Sequence, residues 1–154
     1  MTVRLRHWHL INADGRVVGR LAGEIATLLQ GKKKSYFSNY DDVGDYCVVI
    51  NANKMKVSGR KEEQKKYYSH STWPGGLKTT LYKDMTSTNI LTRAVKGMVP
   101  RNLLRHQRMA RLRIFDNEQH PFEGNIFKQN NEVIQQQMTK NEEYLRQLLQ
   151  IEQE

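Results

Sequence analysis

The chain has 154 residues, with 25 Lys and Arg against 16 Asp and Glu, a net charge of +9, and a single cysteine. That length holds one α/β body with a real core but not two, and the lone Cys47 excludes an internal disulfide or a Cys-based zinc site and suits a reducing compartment. No apolar run approaches the ~18 residues of a membrane helix, and the basic start Met1-Thr2-Val3-Arg4-Leu5-Arg6 has no apolar stretch of signal-peptide length, so neither a membrane protein nor a secreted one is expected.

The charge is localised. Residues 1–55 contribute +3, residues 56–113 contribute +11 from fourteen bases and three acids, and residues 114–154 contribute −5. A solvated face mixes signs; this imbalance inside a segment patterned to fold points to a polyanion, because Lys and Arg neutralise phosphates and release condensed counterions.

In chain order, Trp8, Leu10, Ile11 and Ala13 predict a short buried strand ending at the Asn12-Ala13-Asp14-Gly15 turn. Val18, Leu21, Ala22, Ile25, Ala26, Leu28 and Leu29 fall at helical spacing, with Gly31 as the stop. After Lys32-Lys33-Lys34 and an aromatic loop (Tyr36, Phe37, Tyr40), Cys47-Val48-Val49-Ile50 is a β-branched run of a doubly covered strand, completing a βαβ unit. Met55 and Val57 predict a third short strand. Gly59 opens the basic segment, broken by a Trp73-Pro74-Gly75-Gly76 turn. A helix from about Ser87 to Met98, capped by Thr88 or Asn89, buries Ile90, Leu91, Ala94, Val95 and Met98 and ends before Pro100. A second helix, Asn102 to Arg111, places Leu103, Leu104 and Met109 inside and Arg105, Arg108 and Arg111 on one outer stripe, spaced to bridge successive phosphates. Leu112, Ile114 and Phe115 form the last strand. Residues 1–126 are thus read as the α/β domain and residues 127–154 as a Gln-rich tail, an amphipathic helix with Ile134, Met138, Leu145 and Leu148 on its seam.

Catalytic and cofactor motifs are weak. Gly15-Arg16-Val17-Val18-Gly19-Arg20 opens a helix after a strand, yet lacks both dinucleotide and P-loop spacing, so it reads as a tight turn whose Arg20 meets a phosphate. His7 and His9 share a strand face without a third ligand, and no metal is expected. His70, among Lys65, Lys66, Tyr67 and Tyr68, suits phosphate, ribose and stacking contacts better than base catalysis. Asp41, Asp42 and Asp45 pair with Lys32 to Lys34 or another nearby base, and Ser71 has no nucleophile elbow.

With these residues in view, the chain resembles the universal large-subunit ribosomal protein thirteen family over about residues 7–126. The resemblance runs collinearly through Trp8 to Ala13, Gly19-Arg20-Leu21-Ala22, Leu29-Gln30-Gly31-Lys32, Gly44-Asp45-Tyr46-Cys47-Val48-Val49, Asn51-Ala52, Ser58-Gly59-Arg60-Lys61, Lys65 to Ser71, Pro74-Gly75-Gly76-Leu77-Lys78, Ala94 to Pro100, Asn102, and Arg111 to Phe115. It departs at Thr72, where the family usually has Gly, and at Val99, where it has Leu. Glu63-Gln64-Lys65, Phe115-Asp116 and the tail after Ile126 look more like mitochondrial members than bacterial ones.

The resemblance implies a three-layer α/β/α domain on a mostly parallel four-stranded sheet, no enzymatic activity, no cofactor, and binding of large-subunit rRNA, with the mitochondrial matrix ribosome expected and bacterial cytoplasm or plastid as the alternative. The expected phosphate contacts are Arg20, Lys32, Lys33, Lys34, Arg60, Lys61, Lys65, Lys66, Lys78, Lys96, Arg101, Arg105, Arg108 and Arg111, with Tyr67, His70 and Trp73 near bases or sugars. The tail is expected against a neighbouring ribosomal protein; no membrane and no small-molecule substrate are expected. The rival readings are a nucleotide-dependent enzyme on the same βαβ start, which would need a glycine-rich loop and convergent carboxylates, and a helix-turn-helix DNA-binding regulator using residues 89–111.

Overall fold

A computed structural model describes residues 6–126. Strand β1 (Trp8–Asn12) leads through the Gly15 turn into helix α1 (Val18–Gln30), and β2 (Tyr46–Ile50) returns parallel to β1 with Leu10 beside Val48. This is the βαβ unit expected from the periodicity. Leu21, Ile25 and Leu29 on α1 are fully buried, and each such side chain contributes about 1.5–3 kcal/mol relative to exposure. Helix α1 stops where expected: Gly31 adopts φ 79 and donates its N–H to Leu28 O. A Cβ at that position would also meet Val43 O at 2.8 Å, so both conformation and space demand glycine.

The third short strand does not form as such. Ala52–Lys54 is a 3₁₀ turn entered through Asn51 at φ 58, and the extended piece beyond it shrinks to one parallel bridge between Val17 and Lys56, with Met55 and Val57 packed against the core. A short helix α2 (Lys61–Gln64) precedes two antiparallel strands, β3 (Lys66–His70) and β4 (Leu77–Leu81), which form a separate ribbon. After a 3₁₀ turn at Tyr82–Asp84 come helices α3 (Ser87–Met98) and α4 (Leu104–Ala110) and strand β5 (Leu112–Ile114), parallel to β2.

The parallel sheet therefore has three strands, in the order β1-β2-β5, with the antiparallel pair apart from it, in place of a single four-stranded sheet. Helix α3 starts at Ser87 after Thr86, with no side-chain cap from Thr88 or Asn89, and packs Ile90, Leu91 and Val95 against α1. Val99 is 1% exposed, so the departure from leucine is absorbed within the core. Leu10, Met98 and Leu103, expected inside, are 45%, 46% and 97% exposed. The compact unit ends at His120; a second unit begins at Pro121, and the tail reading for residues 127–154 lies outside the described residues.

Candidate nucleic-acid interface

The ribbon is built by its turn. Pro74 fixes φ at the second turn position, Gly75 supplies φ 75 at the third, and Gly76 N–H donates to Trp73 O at 3.1 Å, the arrangement of a type II turn. Gly76 packs closely in the turn, since a Cβ there would displace Ser71 Oγ and crowd Trp73 O at 3.0 Å. Thr72 enters this turn without positive φ, so the missing family glycine costs no left-handed residue. The rungs pair Lys66 with Leu81, Tyr67 with Thr80, Tyr68 with Thr79, Ser69 with Lys78 and His70 with Leu77.

Because directly opposed residues share a face, the ribbon presents Lys66, Tyr68, His70, Leu77, Thr79 and Leu81 on one side and Tyr67, Ser69, Lys78 and Thr80 on the other. Tyr67 is half-buried: Lys65 Nζ lies 5.1 Å and Arg93 Cζ 5.3 Å from its ring, and the Tyr82 ring lies 6.5 Å away. The Arg93 contact ties the ribbon to α3. Burial, then the Tyr67 and Glu62 oxygens, raises the Tyr82 phenol above its ordinary pKa.

The remaining expected cations divide sharply. Arg20, Lys32, Lys33, Arg60, Lys61, Lys65, Lys66, Lys78, Lys96 and Arg101 are exposed, as are His70 and Trp73. Lys34 is not: its side chain is 9% exposed, its Nζ sits 2.5 Å from Asp45 Oδ1, and it donates to Val43 O at 2.9 Å. Asp45 also accepts from the His7 backbone N–H at 2.9 Å and lies 3.1 Å from His9 Nε2, which accounts for the histidine pair flanking Trp8.

The arginine stripe of α4 is turned inward, a correction to the phosphate-facing reading. Arg111 is 4% exposed and grips Asp42 through two bonds of 2.6 and 2.7 Å while also donating to Leu29 O. Arg108, 3% exposed, stands 3.7 Å from the same carboxylate, and Arg6 reaches it at 3.4 Å. Arg105 donates to Lys96 O and Val99 O at 2.8 Å each, capping the end of α3. One buried acid thus gathers three guanidinium groups. Burial alone would raise the Asp42 carboxyl, but the Arg111 hydrogen bonds and the charges of Arg111, Arg6 and Arg108 outweigh it and hold the group below the ordinary carboxylate range. Asp45 is lowered in the same way: burial opposes, and the bonds from His9, Lys34 and the His7 backbone prevail.

This geometry also counts against the helix-turn-helix reading, since Arg108 and Arg111 are committed to the protein interior and the Leu103 side chain stands in solvent. Arg16, in the loop read as a tight turn, is bonded to Glu24. Arg93, one helical turn from Lys96 and not among the expected contacts, joins the surface, and Tyr68, expected only as part of the setting of His70, shares its face at two-residue spacing.

A model of the family described as Ribosomal protein L13 matches residues 6–121. Proteins named large ribosomal subunit protein uL13 are similar over about three quarters of the chain. The one from Dehalococcoides mccartyi is 46% identical over 119 residues, 75% of this chain and 83% of its own length. Those from Rubrobacter xylanophilus and a Roseiflexus species are each 44% identical, covering 77% and 75% of this chain and 85% and 82% of their own lengths. With a family match over most of the described residues and this degree of identity, the chain belongs to the ribosomal protein L13 family, whose members are structural and not enzymatic.

Proposed function

We propose that this protein is a structural constituent of the large ribosomal subunit that binds and holds large-subunit rRNA, with the β3–β4 ribbon as its principal contact. The observation that carries the reading is the ribbon itself: residues 64–83 contain four lysines and no acid, and nearly every side chain in them is exposed. A lone two-stranded ribbon is marginal in water, and one so uniformly cationic is stabilised by an anionic partner. Exposed Lys96 and Arg101, Arg60 and Lys61, and Arg20 with Lys32 and Lys33 extend the positive surface.

If about six of these cations meet phosphates, the affinity of the full chain for structured rRNA should fall with salt at a log–log slope of about −4 to −5. A flat salt response would exclude the reading.

The ribosome is of bacterial type, and the likeness of Glu63-Gln64-Lys65, Phe115-Asp116 and the tail to mitochondrial members favours the mitochondrion. Fractionation of cells expressing a tagged chain tests this, and a cytosolic or plastid ribosomal pool would refute it. The segment after Ile126, acidic and with Ile134, Met138, Leu145 and Leu148 on one seam, docks a neighbouring ribosomal protein. Truncation there should leave RNA affinity unchanged and weaken one protein contact in the particle; a loss of RNA affinity would contradict this assignment.

A further inference from the structure

The ribbon has two faces, with Lys66 on one and Lys78 on the other, and phosphate binding leaves most of the Tyr68 face unaccounted for. Its Tyr68 face is apolar and aromatic yet uncovered, with Tyr68 65% exposed and Leu77 58%, and Trp73, in the turn that closes the ribbon, is 76% exposed. Tyr68 stands opposite Thr79, too small to cover a phenol ring, and His70 stands opposite Leu77. Lys66 lies on the same face, and no acid interrupts residues 64–83. A face that combines flat π surfaces with cations suits a partner having both apolar faces and negative charge. In a regular duplex the base faces are hidden by stacking, and only the backbone is offered to such a surface. Unpaired nucleotides offer both.

We infer that the Tyr68 face is a stacking platform for unpaired nucleotides of RNA, with bases on Tyr68 and Trp73, Leu77 and His70 flooring the space between, and Lys66 taking the phosphate. Resting on the rRNA-binding reading above, this assigns to the ribbon a loop or bulge instead of a helix backbone. It also replaces Tyr67, whose ring is already held by Lys65 and Arg93, with Tyr68 as the stacking tyrosine.

The molecule supplies its own probe. Of the two tryptophans, Trp8 is stacked on Tyr46 with ring centroids 4.3 Å apart, and Trp8→Phe keeps an aromatic ring there while leaving Trp73 as the sole tryptophan, excited selectively over the tyrosines. The full chain carrying Trp8→Phe is titrated with a short unstructured RNA strand and with a blunt RNA duplex having the same number of phosphates. The strand should quench Trp73 and bind about tenfold more tightly than the duplex, and Tyr68→Ala or Trp73→Ala should each cost about tenfold on the strand alone, with Trp73→Phe restoring most of the loss. Equal, salt-dependent binding of strand and duplex, with no quenching and no loss in the alanine variants, would overturn the platform and leave the phosphate contact standing. No salt-dependent binding of either RNA would overturn both, and would leave the face to a protein partner.

Discussion

Helix α4 and the β3–β4 ribbon come from the same basic stretch of sequence, and they use their positive charge in opposite ways. The α4 arginines are withdrawn: Arg108 and Arg111 are almost wholly buried and share Asp42, and Arg105 closes the end of α3. The ribbon lysines, Lys65, Lys66 and Lys78, stand in solvent. The residue types fit the division. A guanidinium is planar, weakly hydrated and able to bind a carboxylate with two bonds at once, so it tolerates the interior; an ammonium is strongly hydrated and works best as a surface point charge. A count of bases therefore measures how much positive charge a segment carries but says nothing about which part of it a polyanion can reach.

The comparison would break most visibly at Asp42. Asp42→Ala leaves Arg108 and Arg111 buried without a counter-charge and should destabilise the fold by about 3–5 kcal/mol, read by chemical or thermal unfolding. A loss under 1 kcal/mol would mean that the cluster is hydrated and structurally idle. The ribbon should respond in the opposite sense. Replacing Lys65, Lys66 and Lys78 together by Gln should leave the unfolding transition in place, flatten the salt slope of RNA binding by about 1 per lysine, and weaken binding roughly a hundredfold at physiological salt. Arg111→Lys separates geometry from charge: it keeps the cation but forfeits the double bond to Asp42, and should cost about 2 kcal/mol with no change in the salt slope. A change in that slope would return α4 to the RNA-facing side.

Buried elements were legible in the sequence because burial writes an apolar pattern into the chain, a helical period where one face is covered and a continuous run where both are. The apolar spacing of α1 and α3, the β-branched run of β2 and the glycine stop at Gly31 all specify themselves locally. The ribbon was not legible beyond its turn. Lys66-Tyr67-Tyr68-Ser69-His70 has no apolar alternation, since neither of its faces is buried by the protein, so only Trp73 to Gly76 announced a reversal. The extended piece at Met55 and Val57 looked like a strand because both residues do pack on the core, but it makes a single bridge. The inward turn of α4 escaped for another reason. Helical spacing puts Arg105, Arg108 and Arg111 on one face whether that face is wet or dry, and the acid that decides it lies 69 residues earlier than Arg111. Exposed candidates such as Trp73 and Lys78 were recognisable by type, whereas the direction of each side chain came only with the pairing register.

The smallest effect expected is an acid dependence confined to the core. Asp42 and Asp45 both have carboxyls held below the ordinary value of 3.8, by Arg111, Arg6 and Arg108 in one case and by His9, Lys34 and the His7 backbone in the other, each set overcoming burial. A carboxyl whose folded value is depressed contributes stability that is complete above its unfolded value and is lost as the pH falls through the folded one. Unfolding free energy should therefore be insensitive to these two groups from neutrality down to about pH 4 and should decline below it. Asp42→Asn isolates one share: it removes the titrating group while keeping its shape, so it should lower stability at neutral pH and make the acid limb shallower. If the limb kept its full steepness in Asp42→Asn, the arginine cluster would not be coupled to folding through that carboxylate, and the contrast between a spent interior charge and an available surface charge would lose its thermodynamic basis.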